Sequence, residues 1–203
     1  MKPEIILVGG GGHCKACIDV IETAGEFRIA GIVDVKEKAG QEVLGYDVMA
    51  SDEDFRYLSI HYENFLITIG QIKEPEKRIE IYTKLKQFGV RLPKIISPYA
   101  QVSRHCKIEE GTIVMHQVII APGAVVGKNC IINTKALVEH DAVVGNHCHI
   151  STGAVLNGNV YIGQKTFIGS MTMIRENIRI GKNCIIGAGQ NIYSDVINYK
   201  VIK

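Results

Sequence analysis

From Ile96 to Ile192 every sixth position is aliphatic, seventeen times in succession and without a break. Four residues after each of these positions the side chain is usually small, as at Ala100, Cys106, Thr112, Ala124, Cys130, Ala136, Ala142, Cys148, Ala154, Thr166, Thr172 and Cys184. Glycine often follows the aliphatic position directly, at Gly127, Gly145, Gly163, Gly169, Gly181 and Gly187. A period of six matches neither the 3.6 of a helix nor the 2 of a free strand. It suits short strands joined by corners, each strand turning one large and one small side chain inward. Three such strands close a triangular coil of eighteen residues, and stacked coils bury one continuous aliphatic column. The pattern therefore predicts a left-handed parallel β-helix of hexapeptide repeats over 95–203.

The preceding residues alternate differently. Glu4 to Val8 reads as a strand, Gly9 to Gly12 as a glycine turn, Lys15 to Thr23 as a helix and Ile29 to Val33 as a second strand ending at Asp34. Phe65 to Ile69 is another apolar run that reaches Gly70, and Glu74 to Gln87 carries Ile81, Leu85 and Phe88 at helical spacing before Gly89. This order predicts a small Rossmann-like α/β domain with a parallel sheet over 1–94, with the boundary among the prolines Pro93 and Pro98.

The chain has 203 residues, 46% hydrophobic and 22% charged, with a net charge of +2. So even a balance argues against nucleic acid as a partner. No apolar run approaches a membrane span and no secretory leader pattern is seen, which leads us to expect a cytoplasmic protein. Six cysteines in a chain of this length are too sparse for a disulfide scaffold.

Several motifs carry possible chemistry. Gly9 to Gly12 between strand and helix lets the backbone turn sharply and offers the free N–H groups of a helix start to an anion. Asp34, closing the second strand, sits where a dinucleotide fold grips a ribose hydroxyl. Cys14 and Cys17 form a C-x-x-C with no second pair to complete a zinc site, and read as core. His105, His116, His140 and His147 fall at corners, whereas His149 precedes an inward aliphatic and points outward from a flat face into solvent. His140 is set apart by its flanking acids, Glu139 and Asp141. Gly158, eighteen residues on, stacks one coil above it and leaves a backbone N–H open to a developing oxyanion. Thr152, Ser170 and Ala188 are eighteen apart, so they stack at one corner and could line a groove for an extended ligand.

With these residues in place the sequence resembles the bacterial sialic acid O-acetyltransferase and bacillosamine N-acetyltransferase family over nearly its whole length. Val8 to Lys15 looks like that family's sugar-nucleotide loop. Ile132-Asn133-Thr134, Val138-Glu139-His140-Asp141 and His149-Ile150-Ser151 look like its catalytic coils. The resemblance implies acetyl-coenzyme A as donor, His140 as general base, Asp141 as the acid that raises its basicity, and Asn133 as part of the acyl site. It also implies donor contacts from His149 and from the backbone of Ser170 and Ala188, and an acceptor held by Gly11, Gly12, His13, Asp34 and Gly70. Two departures stand out: Val35 follows Asp34 where many members have a second acid, and the residues after Ser194-Asp195-Val196 lack the longer tail with its glycine-proline-alanine-lysine stretch.

The leading expectation is an enzyme moving an acetyl group from acetyl-coenzyme A to an amine or hydroxyl of a sugar, nucleotide-activated or of sialic type, for a surface glycan. No covalent enzyme intermediate and no metal are required. Two other classes share these features. A zinc lyase of the γ-type carbonic anhydrase kind would bind metal through three histidines, although His140, His147 and His149 lack convincing spacing for it. A nucleotide-binding regulator would use the β-helix only to assemble subunits. A homotrimer is expected, because flat parallel faces are self-complementary and a cleft between neighbours shelters a long donor.

Overall fold

The structure, a computed structural model, describes residues 2–72 and 74–203. It divides into two compact units, Met1–Gly70 with Glu76–Pro93, and Gln71–Pro75 with Lys94–Lys203. Among the described residues no helix is long and apolar enough to cross a membrane.

The first unit contains β1 (Glu4–Val8), α1 (Gly12–Ala24), β2 (Arg28–Asp34), β3 (Glu42–Val43), β4 (Tyr46–Ser51), α2 (Phe55–His61), β5 (Asn64–Ile67) and α3 (Glu76–Gln87). Its sheet runs in the order β3-β4-β2-β1-β5 and is parallel except where β3 meets β4. The inner strand β1, between β2 and β5, is buried from Ile5 to Val8, the uninterrupted apolar reading of a strand covered on both faces. Helix α1 begins at Gly12, three residues earlier than the sequence pattern predicts, because Gly9 alone makes the turn at φ +109°. It ends at Gly25 in the left-handed region, whose N–H donates to the Ile21 carbonyl at 2.9 Å. Helix α3 begins at Glu76 rather than Glu74, since a residue before proline is driven towards extended backbone and Pro75 follows Glu74. Buried Arg78 on α3 donates to the Ile67 carbonyl at 2.9 Å and to that of Ile69, fixing the chain where β5 runs towards Gly70. The strands β3 and β4 and the helix α2 were not anticipated from the sequence.

The second unit is the left-handed β-helix. Two-residue strands form three parallel sheets of seven, six and five strands; strands pair eighteen residues apart until the last, where Val201–Ile202 pairs with Ile185–Ile186 at a separation of sixteen. On the seven-stranded face lie Ile131–Ile132, His149–Ile150, Phe167–Ile168 and Ile185–Ile186. Leu137–Val138 and Val155–Leu156 belong to the six-stranded face, Val143–Val144 and Tyr161–Ile162 to the five-stranded face. The inward aliphatics Ile132, Val138, Ile150, Leu156, Ile168 and Ile186 are fully buried. The corners turn through residues with positive φ at six-residue steps, among them Lys135, Asp141, His147, Asn159 and Lys165, close to the left-handed geometry that the third residue of a type II turn adopts.

The small inward slot does more than save space. Thr112 and Thr166 donate their hydroxyls to the Gly127 and Gly181 carbonyls at 2.7 and 2.8 Å. Cys130 and Cys148 occupy the same column and direct Sγ at the Gly145 and Gly163 carbonyls, both at 3.2 Å. These thiols therefore serve buried carbonyls as weak donors as well as filling volume. Cys106, in the first full coil, is only partly buried.

Candidate active site

The corner between the six- and five-stranded faces runs Glu139-His140-Asp141-Ala142. The Ala142 N–H donates to the Glu139 carbonyl at 3.2 Å, and Asp141 holds φ +60°. This turn presents both His140 and Asp141 outward, with their side chains about two-thirds exposed. His140 Nδ1 and Asp141 Oδ2 are 2.9 Å apart. A carboxylate only accepts, so Nδ1 carries the proton and the lone pair of neutral imidazole resides on Nε2. The Asp141 hydrogen bond holds the His140 pKa above the usual imidazole range, with the charges of Asp141 and Glu139 acting in the same direction. Gly158 lies one coil above, and a Cβ built there would stand 2.6 Å from His140 Nε2.

The opposite side of the coil carries a cavity of about 740 Å³ on the seven-stranded face. Asn133, His149, Ser170 and Ala188, to which the resemblance gave the acyl site and the donor contacts, all line it, together with Ser151, Phe167 and Ile72. Thr152 shares the corner column but is not in the lining. His149 is not solvated, as an outward residue of a flat face was expected to be. It is 6% exposed, because Gln71 covers it and Phe167 meets its ring edge-on at 5.2 Å. His149 Nδ1 donates to the Gln71 carbonyl, and the Gln71 side chain is anchored on the His147 carbonyl at 3.0 Å. With Nδ1 as donor, Nε2 accepts from Asn133 Nδ2 at 3.3 Å, and Asn133 Oδ1 in turn accepts the Thr134 N–H at 2.8 Å. This chain of polar contacts fixes the His149 tautomer and the orientation of the Asn133 amide. Ser151 and Ser170 hydroxyls are 2.9 Å apart along the same wall.

In the first unit Gly11, Gly12, His13, Asp34 and Gly70 gather at the carboxyl ends of β1, β2 and β5, where open α/β sheets hold ligands. Gly70 approaches His13, whose Cβ lies 3.6 Å from where a Gly70 Cβ would be. A Cβ at Gly9 would stand 2.4 Å from Ile69, so the fold itself demands that glycine. At Gly11 and Gly12 a Cβ would meet nothing within 4 Å. Among the described residues no side chain caps α1, and the Cys14 N–H donates to the Gly11 carbonyl at 3.0 Å. Asp34 is already engaged: its carboxylate accepts from the Gly10 and Val35 amides at 2.7 Å and pairs with Lys38 at 2.8 Å. Burial raises its pKa, but the Lys38, Val35 and Gly10 hydrogen bonds outweigh that and leave it below the usual carboxylate range. Burial also pushes both the Cys14 and Cys17 thiols up, in keeping with a core role.

Two residues of this arrangement escaped the sequence reading. Gln71 carries no local signal, since it reaches His149 across 78 positions. Gly123, whose Cβ would stand 2.4 Å from Asp141 Oδ1, was within reach of the eighteen-residue stacking rule.

Comparison with known proteins gives a consistent picture. A family described as the PglD N-terminal domain matches residues 4–85, and the bacterial transferase hexapeptide family (six repeats) matches residues 105–138 and 159–189. Among solved structures, the chain is similar to a histidine-to-asparagine variant of perosamine N-acetyltransferase from Caulobacter crescentus, in complex with CoA and GDP-perosamine. The two are 30% identical with a TM-score of 0.92 over 98% of this chain and 92% of that one. It is also similar to the acetyltransferase domain of PglB from Neisseria gonorrhoeae in complex with acetyl coenzyme A, at 27% identity and TM-score 0.90 over 99% and 96% of the two chains. WeeI from Acinetobacter baumannii, 22% identical with a TM-score of 0.87 over 100% and 97%, shares the fold.

Proposed function

The chain belongs to the PglD-like family of sugar acetyltransferases, and we propose that it acetylates the amino group of a nucleotide-activated sugar. It is an acetyl-coenzyme A-dependent sugar acetyltransferase. The observation that carries the donor side of this reading is the convergence of Asn133, His149, Ser170 and Ala188 on one cavity of about 740 Å³. The backbone at Ser170 and Ala188 holds that arm, and His149 and Asn133 shape the end where the thioester lies. Gly11, Gly12, His13, Asp34 and Gly70 form the acceptor site in the first unit, with the positive end of the α1 dipole facing an anionic group of the nucleotide.

His140 acts as general base. Neutral Nε2 takes the proton from the attacking amine as nitrogen bonds to the acetyl carbon. The Gly158 N–H stabilises the oxyanion of the tetrahedral intermediate. Collapse of that intermediate expels coenzyme A, which leaves with a proton returned to its sulfur. The thioester is already activated, so alignment and proton removal are what the protein contributes.

We also propose a homotrimer. The His140 corner separates the six- and five-stranded faces, whereas the donor cavity opens on the seven-stranded face. One copy does not bring base and donor together, and the corner of one copy set against the cavity of the next does. The outward residues Ile119, Leu137, Val155 and Met173 supply an apolar ladder beside that corner. The reading assigns the enzyme to the cytoplasm, where it would meet acetyl-coenzyme A. The test is acetyl transfer by the purified chain to a panel of free and nucleotide-linked amino sugars and sialic acids. Turnover confined to free sugars, or to hydroxyl acceptors, would overturn the proposed acceptor class.

A further inference from the structure

Two bare Cα positions bracket the His140–Asp141 pair. Below it, a Cβ on Gly123 would stand 2.4 Å from Asp141 Oδ1; above it, a Cβ on Gly158 would stand 2.6 Å from His140 Nε2 and 2.7 Å from Cε1. A larger residue at Gly123 would displace the Asp141 carboxylate, and one at Gly158 the His140 ring. Backbone bonds hold both neighbouring coils in position: the Asp141 N–H donates to the Pro122 carbonyl at 3.2 Å, and the Asn159 N–H to the His140 carbonyl at 2.9 Å. The coils therefore cannot spread to make room.

We propose that Gly123 and Gly158 are positioning residues for the base, holding imidazole and carboxylate in their hydrogen-bonded arrangement by the absence of their own side chains. This rests on the reading of His140 as the base. It gives Gly158 a second duty beside its N–H, and Gly123 a first. The ionisable groups facing the imidazole are Asp141 and Glu139 on its own corner and Glu176 in the recess above; no lysine or arginine lines that recess among the described residues.

Gly158→Ala separates the two duties, because it keeps the N–H and adds only the methyl group. Displacing the imidazole from Asp141 removes the contact that raises its pKa. The acid limb of kcat against pH should therefore move to lower pH, and kcat should fall by about ten- to a hundredfold, less than deletion of a general base. The KM for acetyl-coenzyme A should stay unchanged. Gly123→Ala should shift the limb in the same direction. Its left-handed φ of +76° adds backbone strain, which Gly89→Ala reproduces at φ +75° with nothing within 4 Å of the new methyl; that variant should keep the parental profile. Should Gly123→Ala fail to fold, Gly158→Ala decides. If His140→Ala abolishes the acid limb while Gly158→Ala retains parental kcat and limb, positioning is refuted and the base survives. If His140→Ala itself keeps normal turnover, the assignment of the base is what fails.

Discussion

The proposed base, His140, and the cavity assigned to the donor stand on different sides of one β-helix, so two lesions on different chains should rescue each other. His140→Ala removes the base, and Ala188→Trp fills the donor cavity from an exposed corner position where the fold tolerates bulk. Alone, the first should retain no more than about 1% of parental turnover, from the 10²–10⁴ usually lost with a general base. In a cyclic trimer each site takes its base from one copy and its cavity from the next. A site in a mixed trimer works when the base comes from an Ala188→Trp chain and the cavity from a His140→Ala chain. At equal mixing that combination occurs at about one site in four, so activity should recover to about a quarter of parental. Recovery should follow the product of the two chain fractions and peak at equal proportions. Continuous detection of the coenzyme A thiol in the unfractionated mixture would measure it; tandem purification through two different affinity tags keeps only mixed trimers, each with one working site in three, so that pool should hold about a third of parental activity at any mixing ratio. Doubly tagged assemblies no more active than the sum of the separate variants would refute a site shared between copies, and sedimentation showing a fully active monomer would do so more directly.

Other outcomes follow from the same geometry. Turnover should rise with pH through the titration of His140, since only neutral imidazole accepts a proton; Asp141→Asn, by neutralising the carboxylate that raises its pKa, should shift that limb to lower pH and cost less rate than His140→Ala. His149→Ala should raise the KM for acetyl-coenzyme A more than it lowers kcat at saturation, and a large kcat effect at unchanged KM would contradict its place in the donor cavity. Gly12→Val should raise the acceptor's KM and leave that of acetyl-coenzyme A intact, whereas Gly9→Ala should lower the thermal midpoint, because only the second meets protein atoms. Cys148→Ala should destabilise the β-helix by about 1–3 kcal/mol through a lost donor and a small void, and Cys148→Ser should lose less because it still reaches the Gly163 carbonyl; equal midpoints for the two would dismiss the donor role.

The β-helix was legible because its rule is local and repeats: an aliphatic every six residues specifies inward and outward, and eighteen specifies what stacks on what. The same arithmetic found the Thr152, Ser170 and Ala188 column and the overlay of Gly158 on His140. What it could not find was cover supplied from elsewhere in the chain. His149 looks exposed by register and is buried by Gln71, whose position depends on tertiary placement rather than on spacing. In the first unit, β4 escaped notice because it is a sheet strand with only Val48 and Ser51 buried, too little alternation to announce itself. The purpose of the glycine loop was likewise only half legible: the sequence treats Gly9 to Gly12 alike, and the structure separates Gly9, required by packing against Ile69, from Gly11 and Gly12, where among the described residues nothing lies within 4 Å of an added Cβ.

From Thr152 to Ala188 the eighteen-residue register makes the corner assigned to the donor a graduated scale. Strands in adjacent coils lie about 4.8 Å apart, so Thr152, Ser170 and Ala188 mark successive divisions of that size. Inserting one whole coil between Thr152 and Ser170 would carry Ser170 and Ala188 one division further from His149 without altering any corner. Removing one would bring them a division closer. Reach along this edge is therefore an integer quantity, set by how many coils separate the residues that hold a ligand's two ends, and a longer or shorter arm is accommodated by counting rather than by bending.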